Sequence, residues 1–273
     1  MRAAEVSFRL RVFGAINGRG LWSLYRREMR RYIKYAIEAL GGPIVSSLLF
    51  LAVFSLAAGD AAFEGVVGGP QGPDLGAFIA PGIAAFSLAL SAFHGACFPV
   101  IYDKLEGMIG DIVGAPLTAA EMVVGYVFSA ASMGLLTGVG VVCAALLVVD
   151  LQIADPGRIL LFGLLLSLVF ATLGFLVGLW ARTWDRSSAV ETFLVMPLGL
   201  LSGSFFPLAS LPELGQQALR LNPAFYGIDG FRAGFIGWSD SDNLLGALVL
   251  TAVFLLLFAL AWQLVRRGYK IKA

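Results

Sequence analysis

Apolar residues run along this chain in long blocks separated by short clusters of charge. Six blocks, residues 35–59, 77–101, 121–149, 158–181, 190–208 and 244–265, approach the length of a membrane crossing, since a hydrocarbon core about 30 Å thick takes roughly 20 helical residues. The pattern predicts an all-α membrane protein with six transmembrane helices. The second block contains Pro81 and Pro99, and Pro197, Gly203 and Pro207 crowd the fifth. The fifth is expected to break near the membrane surface, because proline removes a helical hydrogen bond that lipid cannot replace.

The segments between blocks carry their own signals. Over 21–36, Leu21, Trp22, Tyr25, Met29, Tyr32, Ile33 and Ala36 fall on one helical arc and Arg26, Arg27, Arg30, Arg31 and Lys34 on the other. That is the pattern of an N-terminal amphipathic helix lying in the interface, serving either as a topology anchor on anionic lipid or as a mechanical element. The loop 102–120 holds Asp103, Lys104, Glu106 and Asp111 and ends in Pro116-Leu117-Thr118, where Thr118 and Glu121 fit a capping box. It is longer than a chain reversal requires, so it reads as a contact surface or, more plainly, as a solvated connector. Residues 182–187 form a charged turn around Trp184, followed by a second capping-box pattern at Ser188 and Glu191. The outer segment 209–243 is too polar to span. It holds two short helix signals, one capped by Ser210 with Glu213 and one opened by Asn222-Pro223. Both are expected as short re-entrant or interface-lying outer helices between spans five and six, with protein covering their ends.

Composition agrees. Of 273 residues, 59% are apolar and 14% charged, against about 45–50% and about 25% in soluble domains. The formal net charge of +1 argues against a nucleic-acid binder working by bulk positive charge. Placement says more than the sum. With both termini inside, 16 of the 19 Lys and Arg fall on the cytoplasmic side and only Arg158, Arg220 and Arg232 outside, as the positive-inside rule requires. Asp60, Glu64 and Asp74 give the first outer loop the opposite sign. The chain then divides into a cytoplasmic segment 1–34 containing the amphipathic helix, a transmembrane domain 35–265 and a basic cytoplasmic tail 266–273. Nine Arg and Lys break up the first 35 residues, which is not the pattern of a cleavable leader, and the mature chain is expected to begin near Met1. Cys97 and Cys143 lie in apolar stretches without CxxC spacing, which argues against a disulfide framework or a thiolate metal site.

No Lys follows a Gly anywhere in the chain, so the G-K-[ST] end of a Walker A loop is absent and ATP hydrolysis by this chain alone is not expected. The single histidine, His94, cannot make a His-rich metal site, and HExxH is absent. No catalytic residue and no metal are expected. An intramembrane serine protease would have to pair Ser202 or Ser204 with His94. His94 is the one ionisable side chain well inside its block, which makes it a functional candidate or a packing residue beside Gly95 and Ala96. The acidic residues sit at loops and block ends, which disfavours a proton- or sodium-coupled transporter. Gly134 with Gly138 and Gly174 with Gly178 are GxxxG pairs, suited to packing within the chain or at a dimer seam.

Three stretches are more distinctive. They are Gly203-Ser204-Phe205-Phe206-Pro207 leading to Leu211-Pro212, Leu221-Asn222-Pro223-Ala224-Phe225-Tyr226 with Gly230-Phe231-Arg232-Ala233-Gly234-Phe235, and Ala115-Pro116-Leu117-Thr118-Ala119-Ala120-Glu121. Set in this order of amphipathic helix, six blocks and broken fifth block, they resemble the membrane subunit of bacterial ABC-2 type transporters over about residues 21–267. The resemblance is nearest to simple inner-membrane permeases of the nodulation, polysaccharide and drug exporter kind, without a large outer domain. It implies a half-transporter in the inner membrane, paired as a homodimer, with a separate cytoplasmic ATPase subunit holding ATP and Mg and no cofactor on this chain. By resemblance the ATPase docks on the amphipathic helix and first inner loop, here Arg26, Arg27, Glu28 and Arg30, with Asp103, Lys104, Leu105, Glu106 and Gly107. Spans one, two and five are the implied pathway walls. An aromatic belt there would come from Phe50, Phe54, Phe86, Phe93, Phe98, Phe193, Phe205 and Phe206, with His94 beside them, unless these rings simply face lipid. The expected activity is export of an amphipathic, lipid-linked, polysaccharide or drug-like substrate. A non-transporting scaffold or assembly protein is the alternative, and the serine protease the outsider.

Overall fold

The computed structural model describes residues 17–58 and 75–269. Arg2, Arg9 and Arg11, the acidic loop residues Asp60, Glu64 and Asp74, and Lys270 and Lys272 lie outside the described residues. Among those described, ordered structure is helical, with no strand.

The chain opens with α1 (Gly18–Lys34), capped by Asn17, whose side chain accepts from the Gly20 N–H at 3.0 Å. It continues into α2 (Ala36–Ala58) and then α3 (Leu75–Leu105). A short α4 (Ile109–Gly114) precedes α5 (Ala119–Ala145), and α6 (Pro156–Trp180) follows. Next come α7 (Trp184–Val190), a π-helical turn over Glu191–Val195, α8 (Met196–Leu200), α9 (Glu213–Leu221), α10 (Pro223–Ile236) and α11 (Asn243–Arg266). Five of these, α2, α3, α5, α6 and α11, are long and apolar enough to cross a membrane.

The centre is α3, which packs most extensively against α5 and α6. Small residues make this approach possible. A Cβ at Gly174 of α6 would overlap the backbone carbonyl of Phe93, and one at Gly134 of α5 would sit 2.7 Å from the Leu88 carbonyl oxygen. Both GxxxG pairs therefore pack within the chain against α3, where close backbones gain dispersion contact that lipid alone does not supply. In contrast, α2 and α11 bury few side chains and present Leu49, Val53, Leu248 and Leu256 outward.

The block 190–208 does not form a single crossing helix. The helix runs through α7, the π turn and α8 from Trp184 to Leu200, about 25 Å at 1.5 Å per residue. It then opens into a loop in which Gly203 takes φ +73°. The π turn stands directly before Pro197, which has no N–H to return. The freed carbonyls find donors: the Ser202 and Ser204 hydroxyls at Gly199, and Asn222 Nδ2 at Leu198 (2.7 Å). Backbone groups released from a helix and buried away from water have to be satisfied in this way.

Of the predicted caps, Thr118 with Glu121 and Asn222 before Pro223 are in place. Two are not. The helix of the inner loop starts at Trp184, so Ser188 lies inside it, and Glu191 pairs with His94 instead. The next helix begins after Pro212, and the Ser210 hydroxyl donates to the Pro207 carbonyl rather than capping Glu213. In the outer segment α10 is buried almost along its length, wedged between α3, α6 and α11.

Candidate functional site

At the end holding α1 and the 102–120 loop, the fold builds a polar lock. Asp103 terminates the buried face of α3, and its carboxylate accepts from Arg27 Nη2 (2.7 Å), Arg31 Nη2 (2.8 Å) and Tyr126 Oη (2.6 Å). Glu28 pairs with Arg27 at 2.6 Å and Arg31 at 3.1 Å. The Asp103 side chain is 0% exposed and that of Glu28 1%, whereas Arg27 and Arg31 retain 36% and 26%. Burial pushes the Glu28 carboxyl up, against the pull of Arg27 and Arg31. Burial also opposes the Arg27 charge, but Tyr126, Glu28 and Asp103 more than offset it, holding the guanidinium above its ordinary value.

Around the lock, Leu24 fills the notch left by Gly125, and the Tyr32 and Thr137 hydroxyls meet at 3.2 Å. The Asn17 N–H donates to Glu121, and Asn17 Nδ2 donates to the Pro116 carbonyl at 2.9 Å. Lys104 reaches the end of α6, donating to the Gly178 and Leu179 carbonyls at 2.9 Å each. So of the nine residues assigned by resemblance to docking, Glu28 and Asp103 are turned inward and fasten α1 to the bundle. Arg27 shares that duty, whereas Lys104 ties the end of α3 to the end of α6. Arg26, Arg30, Leu105, Glu106 and Gly107 remain exposed at this end, with Gly107 at φ +74° making the turn into α4.

A cavity of about 1130 Å³ opens beside the lock, walled by α1, α2, α3 and the broken α7–α8 helix. Phe50, Phe86, His94, Phe98 and Phe205 line it. Phe54 is not in the lining but stacks on Phe50 and Phe205, with ring centroids 6.3 and 5.9 Å away. Phe93 is fully buried in the core, Phe193 is 81% exposed, and Phe206 is half-buried away from the cavity. His94 Nε2 lies 2.9 Å from Glu191 Oε1, close enough for an ion pair but off the line of a hydrogen bond. Its ring stacks on Phe98 at 4.7 Å, and Phe98 meets the edge of Trp184 at 5.6 Å. Ser47 with Ser87 (3.1 Å) and Ser91 with Thr137 (2.8 Å) form hydroxyl pairs along the same wall.

At the opposite end Arg232 is fully buried, its guanidinium 3.9 Å from the Phe78 ring centroid and donating to the Gly203 carbonyl. One helical turn earlier, Asp229 accepts from the Ser239 and Ser241 hydroxyls (2.8 and 2.6 Å) and the Asp240 and Ser241 N–H groups. Sequence reasoning counted Arg232 as one more outer charge; its setting in the apolar run Phe231-Arg232-Ala233-Gly234-Phe235 was the available signal. Tyr126, Arg31 and Glu191 were also missed as site residues, because their partners are remote in sequence. Ser202 and Ser204 are 0% exposed and bond to each other and to Gly199, while His94 faces Glu191. No serine–histidine dyad forms. Among the described residues no group of three or more His, Cys, Asp or Glu is placed to hold a metal ion.

The family model of the ABC-2 type transporter matches residues 19–236. The inner membrane transport permease YadH of Escherichia coli K12 is 28% identical over 253 residues, covering 93% of this chain and 97% of that protein. Nodulation protein J of Rhizobium leguminosarum bv. trifolii is 30% identical over 264 residues, covering 93% and 94%. The same protein of Rhizobium meliloti is 30% identical over 231 residues, covering 81% and 83%.

Proposed function

The chain belongs to the ABC-2 type transporter family, and from that premise we propose that it is the permease half of an ATP-driven exporter, working as a homodimer with a cytoplasmic ATPase subunit on each copy. It is a multi-pass inner-membrane protein by its relatives and its apolar helices. In this reading both termini face the cytoplasm, the broken α7–α8 helix and its returning loop act as a sixth span, and α1 lies in the inner interface. The cargo is amphipathic or lipid-linked.

The observation that carries the reading is the cavity. Its walls are the first two long helices and the broken helix, its lining is mostly apolar and aromatic, and no acidic chain crosses it. An ion path needs charges at mid-depth; an acyl chain or aromatic body does not. The absent Walker A loop means that energy for transport has to come from another chain. Arg26, Leu105 and Glu106, exposed around the lock and outside the cavity lining, offer that chain a surface. Because α1 is fastened to α3 and α5 through Asp103 and Tyr126, a push on this surface moves the cavity wall.

Isolation of the protein from its native membrane in mild detergent tests the proposal. A Walker A protein is expected to co-elute, and combined charge reversal by Arg26→Glu and Glu106→Lys is expected to weaken that association. If no ATPase accompanies the chain and the reversal leaves the cell phenotype unchanged, the non-transporting scaffold is the better reading.

A further inference from the structure

Resting on the permease reading, we propose that the cavity selects an anionic amphiphile and holds it head-inward, with Arg30 and Lys34 receiving the negative head and the phenylalanines the apolar body. Four cationic side chains border the inner mouth: Arg27, Arg30, Arg31 and Lys34. Two are already engaged, since Arg27 and Arg31 are held by Glu28 and Asp103. Arg30 and Lys34 are exposed and carry no carboxylate partner among the described residues; Lys34 lies over the Tyr35 ring at 5.5 Å. Glu38, also exposed at the mouth, leaves one net positive charge there.

Away from the inner mouth, the lining follows α2 from Tyr35 to Phe50 over about 22 Å and the antiparallel α3 from Tyr102 to Ile83 over about 28 Å. The cavity therefore covers most of a hydrocarbon core about 30 Å thick, with the Arg, Lys and Glu side chains of its lining gathered at one end and the His94–Glu191 pair part-way along. At the other end Phe50 and Phe205 close against Phe54, centroids 5.9 to 6.3 Å apart. A molecule matching this gradient has a phosphate or carboxylate head and an apolar body. The hydroxyls of Ser87 and Ser91 stand at intermediate depth, and each retains bonding capacity beyond its present partner. A discrete cargo with polar groups below its head can bond them, whereas the acyl chains of a bulk phospholipid cannot.

The test uses the purified protein with its co-purifying subunits in phosphatidylcholine nanodiscs. Binding of labelled dodecyl phosphate is compared with that of an uncharged dodecyl glycerol ether at low salt. The phosphate is expected to bind at least roughly tenfold tighter, and Arg30→Gln with Lys34→Gln to remove about that factor, while affinity for the neutral probe stays the same and reports an intact cavity. Arg267→Gln, which removes a charge at the same membrane face but outside the cavity lining, is expected to leave the preference unchanged. Equal affinity for the two probes overturns the proposal. So does a preference that survives in the double variant or falls equally with Arg267→Gln. Displacement of the phosphate probe by phosphatidylglycerol added to the disc overturns it too, by making bulk lipid the occupant. Failure of the permease reading itself would show in the co-elution assay, which does not depend on these probes.

Discussion

Asp103→Asn tests how α1 is coupled to the membrane helices. The aspartate accepts three bonds, two of them from guanidinium groups. The amide has one acceptor oxygen, and its NH2 must face a donor, so at least one guanidinium loses its partner. Glu28 is then left as the only buried carboxylate against two arginines. Removing one partner of a buried ion pair costs about 3–5 kcal/mol. Arg27 and Arg31 are 36% and 26% exposed and can turn partly to water, which places the expected cost near the low end, about 3 kcal/mol. Local opening of α1 should then be roughly a hundredfold more frequent. Amide hydrogen exchange of residues 18–34 in nanodiscs measures this directly, with the exchange of α6 as an internal reference. Adding Arg31→Met to Asp103→Asn should recover part of the loss, because the unpaired cation leaves with its side chain. Unchanged α1 protection in Asp103→Asn, or single-variant effects that add within about 0.5 kcal/mol, would refute the reasoning.

Other outcomes follow from the same packing. Gly174→Ala drives a methyl into the Phe93 backbone, which has no rotamer to yield; thermal unfolding in detergent should show a loss of about 1–3 kcal/mol, while Gly41→Ala, with open space around it, should be neutral. Lys104→Met strips the donor from the Gly178 and Leu179 carbonyls and should cost about 1–3 kcal/mol, read as faster amide exchange in the last turn of α6. Burial raises the Asp240 carboxyl above its ordinary value, helped by Asp229 and opposed by the Leu208 N–H bond and Arg232. The folded state therefore holds a proton longer than the unfolded one, and stability should fall as pH rises from the ordinary aspartate value through the raised one. Asp240→Asn should flatten that fall in a pH series of melting curves; an unaltered slope assigns it to another group.

Much of the fold was legible because lipid imposes a simple rule on segment length. The blocks that became α2, α3, α5, α6 and α11 were placed to within a few residues. Thr118 and Asn222 announced their helices because capping is local chemistry. The orientation of α1 was not legible. Its apolar arc was drawn through Leu21, Trp22, Tyr25, Met29, Tyr32 and Ile33, yet the fold buries Leu24, Glu28 and Tyr32 and leaves Trp22 60% and Ile33 66% exposed. Periodicity finds the greasy face of a helix, but beside a membrane that face can turn to lipid while the charged face meets protein. Which it does depends on Asp103, over 70 residues away along the chain. Arg232 was hidden for a related reason: a loop count treats every arginine outside a span as solvated, whereas this one is held by the Gly203 carbonyl and the Phe78 ring. The fifth block shows the same limit, since Pro197 and Gly203 marked a break but not the path of the chain after it.

The central claim, that the aromatic-lined cavity is the route of an amphipathic cargo, is tested most directly by capturing what occupies it in the living membrane. A photoactivatable residue at Leu90, on the cavity wall, is compared with one at Leu248, which is 62% exposed on the outer surface of the bundle. After illumination, mass spectrometry of the adducts is expected to find at position 90 an amphiphile that is absent at 248, and that accumulates when cellular ATP is depleted. The same bulk phospholipids at both positions, regardless of ATP, would contradict the account.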